Sequence, residues 1–267
     1  MRIPRFAPVF VCLLVVLSAS AQQSPSPTAQ APARDPQAIG ILNQAVTAAG
    51  GVTALDTVQD VAASGTVTFN WADQPVSGSV TVKGRGIGQY RLEANLQSGP
   101  ETWAVNNGQA FRKDANGTLL LRPFHAPTFE NVVFPVAIAI EALGDPTTSV
   151  AYVGLETRNG TQVQHLRIIK SIASDLDITG VTRRAATTEL FVDPNSFQIR
   201  SLVGVAFSID RVSVTCPREI QYSNYQTANG ILIPFSITEL IAGQQTLSIE
   251  LNQVTFNSNL SDSDFQP

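Results

Sequence analysis

After one helical opening, the chain is dominated by alternating apolar and polar positions. Asp35-Pro36 supplies an N-cap and a first-turn proline. Ile39, Leu42, Val46 and Ala49 follow at helical spacing before the stop Gly50-Gly51, which predicts one amphipathic helix over 36–49. A second helical turn is expected near Val52 to Thr57, and there the period changes from helical to strand spacing. Val67, Phe69 and Trp71 alternate with Thr66, Thr68 and Asn70. Beyond the turn Asp73-Gln74-Pro75, Val76, Val80 and Val82 alternate with Ser77, Ser79, Thr81 and Lys83. Tyr90, Leu92, Ala94 and Leu96 oppose Arg91, Glu93, Asn95 and Gln97, and Asn106-Asn107-Gly108 is a strong turn signal between Val105 and Phe111. Further strands are expected at Leu119 to Leu121, at Val150 to Glu156 and Gln162 to Lys170 around Asn159-Gly160, at Glu189 to Val192, Phe197 to Val205 and Glu219 to Tyr225, and in two late runs through Ile231 to Thr238 and Leu247 to Asn252. Ser171 to Arg184 reads as a polar loop.

Only Pro123 to Gly144 breaks this rhythm. Phe129, Val132, Val133, Val136, Ile140 and Leu143 recur at helical spacing, which predicts a helix near Thr128 to Leu143, with Pro135 kinking it or ending an earlier turn. No linker-like shift in composition divides the chain after residue 35. The expected architecture is α+β, a single domain over 36–267 in which about ten antiparallel strands curve around two or three helices as an incomplete β-barrel.

A sheet that is apolar on one side must cover that side, and each large apolar side chain left in water costs about 1.5–3 kcal/mol. Two or three helices are few for so long a sheet, so the pattern favours an apolar groove between sheet and helices. Trp71, Trp103, Phe111, Phe129, Val133, Phe134, Tyr152 and Phe235 are the candidates for lining it, set against the ordinary reading that inward aromatic residues are core.

Composition adds a compartment. Arg2 and Arg5 precede an apolar stretch from Phe6 to Leu17, and Ala19-Ser20-Ala21 has the small-x-small pattern of a signal-peptidase site, so 1–21 reads as a secretory signal cleaved after Ala21. The apolar stretch is shorter than the ~20 residues a spanning helix needs. Residues 22–35, rich in Pro, Ser, Gln and Ala, read as a disordered tether. The expected location is therefore periplasmic. The formal charge of −4 offers phosphate no long-range attraction, which argues against nucleic acid as a partner. Cys12 leaves with the signal and Cys216 remains as a lone thiol, so no internal disulfide can form.

Candidate chemistry is sparse. His125 and His165 lack a nearby Cys or acidic cluster, and no metal or other cofactor is expected. Asp175, Asp177, Thr179 and Gly180 begin like a calcium loop, but Ala186 stands where a bidentate acid is required. Gly84, Gly86 and Gly88 lack dinucleotide-site spacing, and there is no Gly-x-Ser-x-Gly elbow for a serine nucleophile. Asp262 and Asp264 are expected to cap a short terminal turn. The residues point away from an enzyme, and a hydrolase using either histidine has no supporting motif.

The opening helix ending Ala48-Ala49-Gly50-Gly51, the turn through Leu55 and Val58, and the strand start Ser64-Gly65-Thr66-Val67 resemble the beginning of the LolA-like periplasmic lipoprotein-sorting proteins. Phe191-Val192-Asp193-Pro194, Tyr222-Ser223-Asn224-Tyr225, Asn229-Gly230-Ile231-Leu232-Ile233-Pro234-Phe235 and the tail Asn257 to Phe265 are similar to that superfamily's secreted members. The resemblance implies an incomplete antiparallel barrel with helices across its mouth, an interior that holds the acyl chains of lipids or lipoproteins, and no catalytic residue. The implied partners are a lipid acyl chain or a lipoprotein, taken up by a monomer. Because related folds include envelope-stress sensors, a regulatory module that binds an envelope membrane protein is the alternative.

Overall fold

A computed structural model describes residues 32–71, 74–121, 132–171, 180–207 and 214–267. Residues 32–267 belong to one compact unit. The chain opens with α1 (Pro36–Ala48) and α2 (Val52–Leu55), then runs through β1 (Val61–Trp71), β2 (Gln74–Arg85), β3 (Gln89–Leu96), β4 (Gly99–Asn106), β5 (Gln109–Asp114) and β6 (Gly117–Leu120). Helix α3 (Val136–Gly144) separates this meander from a second one. That one comprises β7 (Ser149–Arg158), β8 (Thr161–Ile169), helix α4 (Val181–Ala185), β9 (Thr187–Val192), β10 (Ile199–Phe207), β11 (Thr215–Ala228), β12 (Ile231–Ile241) and β13 (Gln244–Phe256).

All strand pairings are antiparallel. Their order is β6-β5-β4-β3-β2-β1-β13-β12-β11-β10-β9-β8-β7, so the first and last strands pair at the centre and the sheet curves without closing. Side-chain alternation decides which face is dry. Val67 of β1 lies opposite Ile249 of β13, which lies opposite Ile237 of β12, and each of the three is at most 1% exposed. Tyr90, Leu92, Ala94 and Leu96 continue the same wall on β3. Hairpin turns at Asn107-Gly108, Asn159-Gly160 and Asn229-Gly230 have positive φ at both residues, the conformation that Asn-Gly adopts readily.

The described sheet has thirteen strands rather than about ten. The strand expected at Leu119 to Leu121 is β6, which lies at the sheet edge with all its residues exposed. The start expected for α3, Thr128, lies outside the described residues. The described helix starts at Val136, with Pro135 at its N-cap. The expected polar loop contains the one-turn helix α4.

Helices α1 and α3 pack on each other inside the curve. Asp35 caps α1 as expected, its carboxylate accepting from the Gln37 and Ala38 amides at 2.7 and 3.3 Å. With Val132, Val133 and Phe134 they bury more of the concave wall than the helix count implied, because α3 is apolar on nearly every face.

Residues 32–35 are part of this packing, which shortens the expected tether. Arg34 Nη1 donates to the carbonyls of Ala142, Asp145 and Thr148 at 2.8–3.0 Å, and Nη2 donates to Leu143 O at 3.2 Å. A cation thereby satisfies the orphan carbonyls at the end of α3. Arg34→Ala is expected to lose roughly 2–3 kcal/mol, read as a melting temperature lower by about 4–12 °C.

The C-terminal tail crosses the outer face. A single 3₁₀ turn, Asp262–Phe265, lies on β3 and β4 and is closed by a capping box between Ser261 and Asp264. Phe265 is fully buried beneath the Arg85 guanidinium, 5.5 Å from the ring centroid, while Lys83 pairs with Asp264 at 2.8 Å and Arg85 pairs with Asp262.

Candidate functional site

An opening lies at one mouth of the curve, between the α2–β1 segment, the β2–β3 turn and α3. Its volume is about 480 Å³. Val58, Val61, Ile87, Phe134, Ala137 and Ile140 supply its apolar lining, and Asp56, Gln59 and Glu141 stand among the polar groups there. The apolar helix α3 places Ala137 and Ile140 against the opening, and Phe134 enters from the segment just before it. Ile87 sits in the turn Gly86-Ile87-Gly88, so a large apolar side chain projects from a hairpin end towards the helix.

The far wall is braced by the tail. Asp60 is 3% exposed, and its carboxylate accepts from the Ser258 and Leu260 amides at 2.6 and 3.0 Å. Asn257 adds a second brace, accepting from Gln59 N through Oδ1 at 2.8 Å and donating through Nδ2 to Thr57 O at 2.9 Å. On the helix side, Glu141 pairs with Lys170 at 3.2 Å, which ties the rim to the end of β8. The opening is therefore an apolar slot with a fixed polar edge.

Among the eight candidates from sequence, Phe134 lines the slot, with its ring 5.8 Å from that of Phe256. Val133 is wholly buried beside it. Phe235 is on the concave wall and is 9% exposed, and Tyr152 is half-buried against the core. Trp103 faces the same side at the other end of the curve, where it lies opposite Leu92. There the Arg112 guanidinium stacks 5.0 Å from its ring and forms a two-pronged pair with Glu101 at 2.9 and 3.0 Å. Phe111 pairs with Ala104 and so points to the outer face, where Arg91 lies 5.9 Å from its ring. Trp71 ends β1 opposite Gln74, and Phe129 lies outside the described residues.

Val58, Ile87, Ala137 and Ile140 were not among those candidates. A bulky apolar residue held between glycines in a turn, as in Gly86-Ile87-Gly88, is the signal that marks one of them, since such a side chain otherwise stands in water.

Of the polar candidates, His165 lies on the outer face. Its Nε2 is 2.7 Å from Glu189 Oε2, its Nδ1 is 3.5 Å from Glu156 Oε2, and its ring centroid is 4.4 Å from that of Phe191. It is on the opposite side of the sheet from the slot. His125 and the acidic pair Asp175 and Asp177 lie outside the described residues. Among the described residues no cluster of three or more His, Cys, Asp or Glu is arranged to hold a metal ion, and no helix is long and apolar enough to cross a membrane.

No protein-family model matches the sequence, and no curated protein matches it. The fold does have counterparts. A domain named for outer membrane lipoprotein sorting, from Vibrio parahaemolyticus, superposes with a TM-score of 0.54 at 9% identity, covering 86% of this chain and 96% of that one. A LolA superfamily protein from Nitrosomonas europaea gives 0.51 at 11% identity, with 86% and 97% covered. A DUF1329 family protein from Desulfovibrio piger gives 0.50 at 12% identity, with the same coverage of 86% and 97%.

Proposed function

The LolA-like fold is the premise here, and we propose that the chain is a non-enzymatic carrier or binder of lipid or lipidated protein in the cell envelope, reached by a signal peptide cleaved after Ala21. The slot between the concave sheet and α3 carries the reading. Its volume of about 480 Å³ falls within the range typical of small-molecule sites. Its lining from Val58, Ile87, Phe134 and Ile140 suits an acyl chain, which gains by leaving water and needs few polar partners. The polar edge formed by Asp56, Gln59 and Glu141 would keep a bound chain in one orientation.

Ile140 provides the test, because it is only half-buried and a polar side chain there has access to water. Ile140→Glu places a carboxylate against the bound chain and is expected to weaken a fluorescent fatty-acyl probe by at least about tenfold while the protein still unfolds cooperatively. Equal binding by the variant and the parent would remove the slot as the site.

A further inference from the structure

The charges that line the slot are of one sign. None of the described residues bordering it is Lys, Arg or His, whereas Asp56, Asp60 and Glu141 are acids. Asp56 follows α2 directly and is exposed at the rim. Glu141 stands on α3, on the other side of the opening, and is shared with Lys170, both side chains being partly in water.

Asp60 differs from these two in being buried. It is 3% exposed, and backbone amides hold both of its carboxylate oxygens, Ser258 N on Oδ1 and Leu260 N on Oδ2. Those amides satisfy its hydrogen bonding but bring no positive charge. No Lys, Arg or His among the described residues forms an ion pair with it. Buried charges are as a rule paired, so this carboxylate leaves an uncompensated negative charge at the wall of the cavity.

The bases nearest to it in the chain are committed elsewhere. Lys83 and Arg85 flank Gly84 of the slot wall on β2, but alternation turns them to the outer face, where they pair with Asp264 and Asp262. Lys170, just past the end of β8, is joined to Glu141. The mouth therefore carries three carboxylates against one lysine, set among apolar walls that focus their field.

That field acts on whatever head group a bound lipid presents. The apolar lining from Ile87, Phe134 and Ile140 takes the chain, which leaves the head at the polar edge. A carboxylate or phosphate there adds a like charge beside Asp60, whereas a cation is attracted by it. An uncharged head is indifferent to the sign.

We propose that the slot selects an acyl lipid with an ammonium head group, held at the mouth by Asp56, Asp60 and Glu141, and discriminates against carboxylate and phosphate heads. This rests on the carrier reading above and names the lipid class for the same slot. The test titrates the full mature chain with three palmitoyl lipids below their micellar concentrations: the choline ester, the glycerol monoester and palmitate itself above its ionisation range. The choline ester should bind about tenfold more tightly than palmitate, with the monoester between them. Asp56→Asn and Glu141→Gln should each shrink the ratio of choline-ester to palmitate affinity, the second also by freeing the Lys170 ammonium at the rim. Lys170→Ala should widen it. Asp60→Asn should shrink it most, and because that change also takes an acceptor from the tail, the rim variants decide the matter if it does not fold. Palmitate bound as tightly as the choline ester, or a ratio unchanged in the rim variants, would overturn the selectivity and leave the carrier reading intact. Failure of all three lipids to bind would overturn both.

Discussion

Alanine at Gly65 is expected to unfold the protein or to lower its melting temperature sharply. Gly65 lies in β1 where the pairing to β13 shifts register between Ser64 and Gly65. A Cβ there would stand 2.0 Å from Glu250 O and 2.8 Å from Leu251 Cα, both backbone atoms that cannot swing aside. Gly78, on the adjacent strand, is similarly tight, with a Cβ meeting Asn95 O at 2.1 Å. Glycines and bulges are where a sheet can bend sharply, so these positions allow the central strands to curl around α1 and α3. Relief of the clash requires β1 and β13 to part, and theirs is the pairing that joins the two meanders. The loss should reach at least about 4 kcal/mol, equivalent to a fall of roughly 8–16 °C. Thermal unfolding followed by circular dichroism measures it, and a variant melting within a few degrees of the parent would mean that curvature does not depend on close approach at this point.

Removing the Phe265 ring is the second large effect. The ring is fully buried on the outer face. Phe265→Ala should cost about 3–5 kcal/mol and release the tail that braces Asp60 and Gln59 at the slot. Loss of acyl-probe binding should therefore accompany the loss of stability, and limited proteolysis should trim the variant at the tail first. Acid is expected to act on the same segment. The Lys83 ammonium, helped by hydrogen bonds from Ser261, holds the Asp264 carboxyl down at about 2. A depressed carboxyl contributes its stability above the ordinary carboxylate range, and that contribution disappears as pH falls through about 2. A Phe265→Ala protein with unchanged melting temperature and intact tail would refute the brace.

Much of the architecture was legible because it follows from local chemistry. Alternation along Tyr90 to Leu96 and the Asn-Gly turns fix hairpins between neighbours, and Asp35-Pro36 fixes where α1 begins. Pairing of β1 with β13 is not local, and no pattern within either strand names its partner. The same limit explains Phe111. Its alternation with Ala110 and Arg112 is ambiguous, since Ala110 is small and Arg112 can lie over Trp103, so only the β4–β5 register reveals which face is inside. The slot was inferred as an excess of apolar wall, but its place depends on α3, Ile87 and the Asp60 brace, which meet only in the folded chain.

On the proposed function, the slot is filled by an acyl chain in the living envelope. The most direct measurement is solvent extraction and lipid mass spectrometry of the mature protein purified without detergent from a Gram-negative periplasm, alongside Ile140→Glu prepared identically. Close to one acyl lipid per parent molecule is expected, with a clear depletion in the variant. A parent protein as free of lipid as the variant would contradict it.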